Sequence, residues 1–371
     1  MRILISSTSF CEYVIQQANA LAKLGHKIMI MMPEHLISTT VGSKIELLLD
    51  QEVTWHSYDI KKRQKYHFYT DLLKVASSFS PDVFHMHQSG EVESLAMILR
   101  LIRLPLIVTL HDIFPHPGND SKIKMRRRLI GKFQSNCADV ILIHGESLQQ
   151  LLKATQPSLA KKSLIIPHGT LSLFKYWENE PVEKEPLTCL FFGRMEKYRG
   201  LDNLLTISDI LRESLPNIRI IVAGKGTELT KLKEQFKKSG VFEIHDSFIP
   251  DTKVNIFFRR ASLLLLPYHE ASQSGIAHMA ISFGLPIVAT NVGAIPELIM
   301  DGVHGKIVDK QDMTKFADEV RFLLMDNTRL LAMSKACKAL ADELDFSRLA
   351  NRYVASYERA IGIKSRRIKL T

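Results

Sequence analysis

Short apolar runs alternate with amphipathic helical stretches along almost the whole chain, a pattern that dictates a parallel α/β architecture. Near the start, Arg2–Ser6 reads as a strand, Tyr13–Leu24 as a helix stopped by Gly25, and Lys27–Met32 as a second strand ended by Pro33. DVFHMH (Asp82–His87) and LPLIVTLHD (Leu104–Asp112) follow as buried strands, with a helix predicted between them over Val92–Ile102. CADVILIHGES (Cys137–Ser147) and SLIIPHG (Ser163–Gly169) repeat the formula. In an open parallel sheet, residues just past the strand C-termini line the ligand crevice, so His87, His111, His144 and His168 stand at suggestive places. A lone strand-end histidine is more often a satisfied structural residue, and this pattern alone singles out none of them.

At 371 residues the chain is too long for one ordinary hydrophobic core, so two domains are expected. LSLFKYWENEPVEKEP, ending at Pro186, breaks the alternation: it is charged, carries two prolines and has no helical or strand period. It reads as an interdomain linker. A second α/β series then runs through LTCLFFGRMEKYRGLDNLL, IRIIVAGKGTEL, LLLLPYHEASQSG, GLPIVAT and GKIVDK. The predicted division is an N-terminal domain over 1–172, a linker over 173–186, a second domain over 187–345, and a C-terminal helix with a basic tail over 346–371 that packs back toward the first domain.

The formal charge of +10 favours an anionic partner: a phosphorylated small molecule, an acidic membrane surface or nucleic acid. Four widely spaced cysteines suggest neither a zinc cluster nor a disulfide framework, and point to a reducing cytoplasm. The sequence contains no apolar run long enough to span a membrane, and MRILISSTSF is too short in apolar residues for a signal-peptide core.

Two segments carry candidate chemistry. GRMEKYRG follows directly on an apolar strand: Gly193 permits a sharp exit, and Arg194 and Arg199 can enter one crevice, where a guanidinium's planar fork suits phosphate. EASQSG opens a small-residue helix with Glu270, Ser272, Gln273, Ser274, Gly275 and Ile276, and a helix start offers unpaired N–H donors with partial positive charge. Each segment alone is as well explained by a solvated basic turn or a capped helix. Gly224 and Lys225, after IRIIVA, hint at a dinucleotide fingerprint, but Leu229 occupies the position of its third glycine.

In their order and spacing, GRMEKYRGLDNLL, AGKG, PYHEASQSG and SFGLPIVATNVGAIPELIMDGVHGKIV resemble the C-terminal half of the retaining glycosyltransferases of family four. LAKLGHKIMIMMP, DVFHMH, VTLHD, ADVILIHGES and IIPHG extend the resemblance more loosely over the first half. It implies the GT-B fold, two facing Rossmann-like domains, with a nucleotide sugar held mainly by the second and an acceptor mainly by the first. Arg194 and Arg199 match the basic pair on the donor diphosphate, the SQSG segment matches the loop whose amides hold the same phosphates, Gly193, Gly224 and Lys225 lie at the family's turns near the nucleotide, and His111 matches a histidine beside the donor sugar. The sequence departs from the family where two glutamates often stand: those positions hold Ala271 and Met279, leaving Glu270 as the candidate for the sugar hydroxyls. The expected chemistry is transfer of a hexose to a glycan or lipid-linked acceptor with its anomeric configuration kept, in cell-surface polysaccharide synthesis. It needs no cofactor and no metal, and no D-x-D motif stands at a strand end. Alternatives are a nucleotide-sugar epimerase and a catalytically silent GT-B scaffold, the latter motivated by the missing acids.

KIKMRRRLIGKF (Lys122–Phe133) interleaves Lys122, Lys124, Arg126, Arg127 and Arg128 with Ile123, Met125, Leu129, Ile130 and Phe133. If helical, this gives an apolar stripe flanked by positive charge, as in helices lying on an anionic membrane. A solvated helix beside a core has the same pattern, and the resemblance tips the expectation toward peripheral contact with the inner face of the cytoplasmic membrane. No stacking aromatics are interleaved with these cations, which argues against nucleic acid.

Overall fold

The computed structural model describes residues 1–40, 45–65, 67–113, 124–177 and 181–370. The chain divides into two compact units, Met1–Gly169 with Asp345–Thr371, and Thr170–Leu344.

In the first unit, β1 (Arg2–Ser6), β2 (Lys27–Pro33), β3 (Val53–Tyr58), β4 (Val83–His87), β5 (Leu106–Thr109), β6 (Val140–Ile143) and β7 (Ser163–Ile165) form one sheet in the order β3-β2-β1-β4-β5-β6-β7. Every pairing is parallel. β4, β5 and β6 are buried along their whole length, as strands covered on both faces must be, and β5 and β6 are largely apolar. The helices run over Cys11–Ala22 and Val92–Arg100, each ending two residues short of the expected boundary. The last helix, Phe346–Leu370, belongs to this unit: Tyr353 and Tyr357 are buried, and Tyr353 hydrogen-bonds to Tyr13. Arg367 and Lys364 reach the fully buried Asp139 carboxylate at 2.8 and 3.7 Å, which also accepts the Leu106 N–H at 3.0 Å.

In the second unit, β8 (Thr188–Phe192), β9 (Arg219–Gly224), β10 (Phe242–Asp246), β11 (Leu263–Leu266), β12 (Ile287–Thr290) and β13 (Gly305–Val308) lie in the order β10-β9-β8-β11-β12-β13, again all parallel. Polar caps start three of its helices: Ser274 accepts from the Ala277 N–H, Asp312 from Lys315 and Asp326 from Arg329.

The segment expected to be a linker, 173–186, packs against the second unit at both of its described ends. Leu173–Trp177 form a 3-10 turn whose Phe174 joins the second unit's core, and the Trp177 carbonyl accepts from Asn255 at 3.1 Å. Downstream, Glu185 pairs with Arg260 and Arg219. Aromatic anchors and ion pairs hold the ends of a segment whose charge and prolines suggested a tether.

Both sheets reverse their winding direction, between β1 and β4 and between β8 and β11. Loops leaving the strand C-termini there diverge to opposite faces and open a crevice.

Candidate functional site

In the second unit, the loops after β8 and β11 flank the switch point, and these are the two segments singled out for phosphate. Gly193 leaves β8 at φ +109°, and a Cβ there would stand 2.7 Å from the Arg199 Nη1 and 3.3 Å from Ile276. Glycine is required for that close approach as well as for that backbone conformation. The next loop is locked against it: Gly224, at φ +148°, would press a Cβ to 1.8 Å from the Gly193 carbonyl, and the Met195 N–H donates to the Lys225 carbonyl at 3.0 Å.

Arg199 ends the 3-10 turn Lys197–Arg199. Its Nη1 donates to the Tyr268 hydroxyl at 3.1 Å and the Phe192 carbonyl at 3.3 Å, and its Nε to the Tyr198 hydroxyl at 3.3 Å. Arg194, exposed, donates through Nη2 to the same Tyr198 oxygen at 3.3 Å. Two guanidiniums are thus gathered on one phenol, with Arg199 also beside the Tyr268 ring, 5.4 Å from its centroid. Burial raises the Tyr268 pKa, and Tyr268 hydrogen-bonds in turn with Ser274.

Ser274 caps the helix Gly275–Phe283. Among the described residues outside its own helix, none comes closer to a Cβ placed on Gly275 than Leu171, at 3.8 Å, so internal packing does not demand glycine there. Its missing side chain leaves the first N–H groups of the helix open to approach. Ser272 and Gln273 are half-buried ahead of it, and the Ser272 carbonyl accepts the Ala294 N–H. Glu270 is exposed, its backbone tied to the Tyr198 carbonyl at 3.3 Å, and Lys225 is exposed at the end of β9. Met279 is buried in the apolar core and Ala271 packs against it, so neither position presents a polar group. The two tyrosines carry no motif of their own; Tyr198 lies inside GRMEKYRG and Tyr268 directly after the Leu263–Pro267 run, both visible as strand-exit aromatics.

In the first unit the strand-end histidines converge. His87 ends β4, His111 lies just past β5, His144 follows β6, and His168 lies beyond β7. Ring centroids are 5.1 Å apart for His87–His111, 4.9 Å for His111–His144 and 5.1 Å for His144–His168, with Tyr13 edge-on to His87, His111 and His168. Phe10 stacks on His111 at 3.9 Å. His85, one strand turn before His87, completes the group. Burial lowers the pKa of His85 to about 3, of His144 to about 4, and of His87 and His111 well below the usual value, where neighbouring rings push further in the same direction. These four rings are therefore neutral. Among the described residues no group of His, Cys, Asp and Glu is placed to hold a metal ion.

The basic segment forms the helix Lys124–Cys137. Met125, Leu129 and Phe133 are 70%, 61% and 37% exposed, and Arg126, Arg127, Arg128 and Lys132 are exposed beside them. Ile130 turns inward, contrary to its placement in the apolar stripe, and Lys122 and Ile123 lie outside the described residues. Beneath this helix the first unit holds a cavity of about 660 Å³ lined by Gln88, Asp112, Arg127, Arg128, Lys132 and Gln156 among others. No described helix is long and apolar enough to cross a membrane.

Two family models cover most of the sequence: "Glycosyltransferase Family 4" matches residues 12–170 and "Glycosyl transferases group 1" residues 175–340. The chain is 25% identical over 390 residues to the D-inositol 3-phosphate glycosyltransferase of Mycobacterium marinum, covering 94% of this chain and 81% of the relative. Among solved structures, the sucrose-phosphate synthase of Thermosynechococcus elongatus superposes with a TM-score of 0.71 at 15% identity, over 98% of this chain and 99% of that one. Anabaena HepE in complex with UDP superposes with a TM-score of 0.67 at 15% identity, over 96% and 100%. Two parallel-sheet Rossmann-like units and two consecutive family matches lead to one conclusion: the chain belongs to the group 1, family four glycosyltransferases and is a glycosyltransferase of the GT-B fold.

Proposed function

We propose that this glycosyltransferase moves a hexose, with retention of anomeric configuration and without a metal or other cofactor, from a nucleoside-diphosphate sugar to a glycan or lipid-linked saccharide. The observation that carries the reading is the Arg194–Tyr198–Arg199–Tyr268–Ser274 chain, which holds two cations and a helix start together at the second sheet's switch point. Hydrogen bonds to charged groups contribute roughly 1.5–3 kcal/mol each, and a helix terminus adds about 0.3–1 kcal/mol. Arg194, Arg199 and the Gly275 and Ile276 amides are therefore enough to hold a diphosphate and to stabilise the charge that grows on it as it leaves. HepE, whose fold this chain shares, is described with UDP bound, which supports a nucleotide donor.

In the reaction, the bond between the anomeric carbon and the β-phosphate oxygen breaks and a bond to the acceptor oxygen forms on the same face. The acceptor's proton passes to the departing phosphate. Glu270 and His111 are assigned to sugar hydroxyls, Ser272 and Gln273 to the loop that shapes the phosphate cradle, and Lys225 and the Gly193 and Gly224 turns to the nucleotide side. The cationic cavity beneath the helix Lys124–Cys137, together with that helix's exposed Met125 and Leu129, supports an acceptor that carries negative charge and is met at an anionic membrane surface. The test is product analysis with a donor panel: acceptor-dependent nucleoside diphosphate release and a product linkage of the donor's own anomeric configuration support the reading, and an inverted linkage refutes retention.

One observation favours a second reading. Met279 is sealed in the core and Ala271 carries no polar atom, so the positions of the family's two acids supply nothing to a nucleotide sugar. A catalytically silent scaffold would bind a donor without releasing nucleoside diphosphate under any condition.

A further inference from the structure

Among the buried histidines of the first unit, one hydrogen-bond chain has a direction. The Gln17 side chain is fully buried between His85 and His87. Its amide nitrogen faces His85 Nδ1 at 3.4 Å and its amide oxygen faces His87 Nε2 at 3.2 Å. An amide oxygen only accepts, so His87 carries its hydrogen on Nε2. A neutral imidazole has one N–H, which makes His87 Nδ1 an acceptor, and that atom lies 2.8 Å from His111 Nε2. The shared hydrogen therefore sits on His111 Nε2. His85 is compatible with this direction: its Nδ1 can accept from the Tyr357 hydroxyl at 2.9 Å while its Nε2–H donates to Thr109 Oγ1 at 2.7 Å.

The His111 ring is also held in place. Phe10 covers one face with its ring 27° from parallel, and Tyr13 stands edge-on at 86°. Phe10 takes the left-handed conformation, φ +59°, a costly one for a bulky residue. With the plane clamped, what remains to be decided is which nitrogen bears hydrogen.

We propose that Gln17 is a positioning residue for sugar transfer: acting through His87, it fixes His111 as the Nε2–H tautomer, so that Nδ1 is presented as an acceptor for a hydroxyl of the transferred sugar. This rests on the reading that His111 touches that sugar. A neutral ring with an acceptor nitrogen suits a hydroxyl and repels a phosphate oxygen.

The experiment is nitrogen-15 NMR of histidine-labelled protein, with His111 assigned from the His111→Gln difference spectrum. We expect the wild type to show a protonated Nε2 and an unprotonated Nδ1. Gln17→Met, near in shape but without amide groups, should release the tautomer to a mixture, and Gln17→Glu should restore it, because a carboxyl group in either protonation state still offers His87 an acceptor oxygen. A wild-type ring protonated on Nδ1, or tautomer populations unchanged in Gln17→Met, overturns the proposal. If Gln17→Met does not fold, the wild-type tautomer alone decides. A second arm separates the underlying reading: UDP-glucose, GDP-mannose and ADP-glucose are each compared with the matching diphosphate. Movement of the His111 Nδ1 signal with a sugar conjugate and not with its diphosphate supports contact with the sugar, and silence with all three refutes that contact while the tautomer result stands. For a conjugate that is turned over, Gln17→Met should lower kcat about tenfold with KM for the donor little changed, the size expected for one neutral hydrogen bond made in the transition state.

Discussion

Acidification should unfold the first unit well before the second. His85 and His144 are buried as neutral rings with pKa values near 3 and 4, against 6.5 in an unfolded chain. Below pH 6.5 the unfolded chain takes up protons that the folded one refuses, so stability is full above that value and falls with pH until the folded pKa is reached. At pH 5 each ring forfeits about 2 kcal/mol, from 1.36 kcal/mol multiplied by the logarithm of one plus 10 to the power 1.5. The two together lose about 4 kcal/mol, set against a typical total of 5–15 kcal/mol for a domain. His87 and His111, shifted in the same direction, add to the loss. Groups that face the cluster from neighbouring elements oppose it weakly: Asp112 draws His144 upward, while Tyr13, Tyr353 and Tyr357 stay neutral because burial raises their pKa. The two tryptophans allow the units to be followed separately, since Trp55 lies on β3 and Trp177 in the second unit's 3-10 turn. In Trp177→Phe, urea unfolding reported by Trp55 should move from pH 7.5 to pH 5 by roughly 1.3–4 M at the midpoint, given a slope of about 1–3 kcal/mol per M. In Trp55→Phe the transition reported by Trp177 should move far less. A Trp55 midpoint independent of pH over that window would refute neutral burial of the rings.

Tyr268→Phe removes the hydroxyl between Arg199 and Ser274, and should weaken donor binding several-fold in calorimetry while costing about 1 kcal/mol of stability. Replacing both Arg367 and Lys364 by alanine strips the buried Asp139 of its cations and should destabilise the first unit by about 3 kcal/mol, read from the Trp55 transition. Met125→Ser with Leu129→Ser should reduce co-sedimentation with phosphatidylglycerol vesicles at least tenfold and leave thermal stability unchanged, because both side chains are exposed.

Much of the fold is legible in the sequence, and what escapes it has a structural cause. β5, β6, β8, β11 and β12 are largely apolar runs because they are buried on both faces, and those runs are what the eye finds. β3 and β10 escape it: each is one edge of its sheet, VTWHSY and FEIHD, partly exposed and mixed in composition. In the segment expected to be a linker, Phe174 and Trp177 are buried as isolated aromatics, which leave no period to read. At the candidate site, Arg194, Arg199 and SQSG could be named from type and spacing, but Tyr198 and Tyr268, which bring them together, could not, since a phenol bridging residues 194, 199 and 274 is a tertiary fact. Likewise each histidine was visible at its strand end, whereas Gln17, which links His85 to His87, sits one helix turn beyond Tyr13 and carries no motif.

The most direct measurement is a thermal-shift panel of UDP, GDP, ADP and their common sugar conjugates on the second unit's transition, in the wild type and in Arg194→Ala/Arg199→Ala. A ligand at a hundred times its dissociation constant stabilises by about 2.7 kcal/mol, a readily visible shift. We expect one nucleotide series to stabilise the wild type and to lose that effect in the double variant, with the variant's own transition otherwise close to wild type. Equal stabilisation of both proteins by the same nucleotide would contradict the placement of the diphosphate on Arg194 and Arg199.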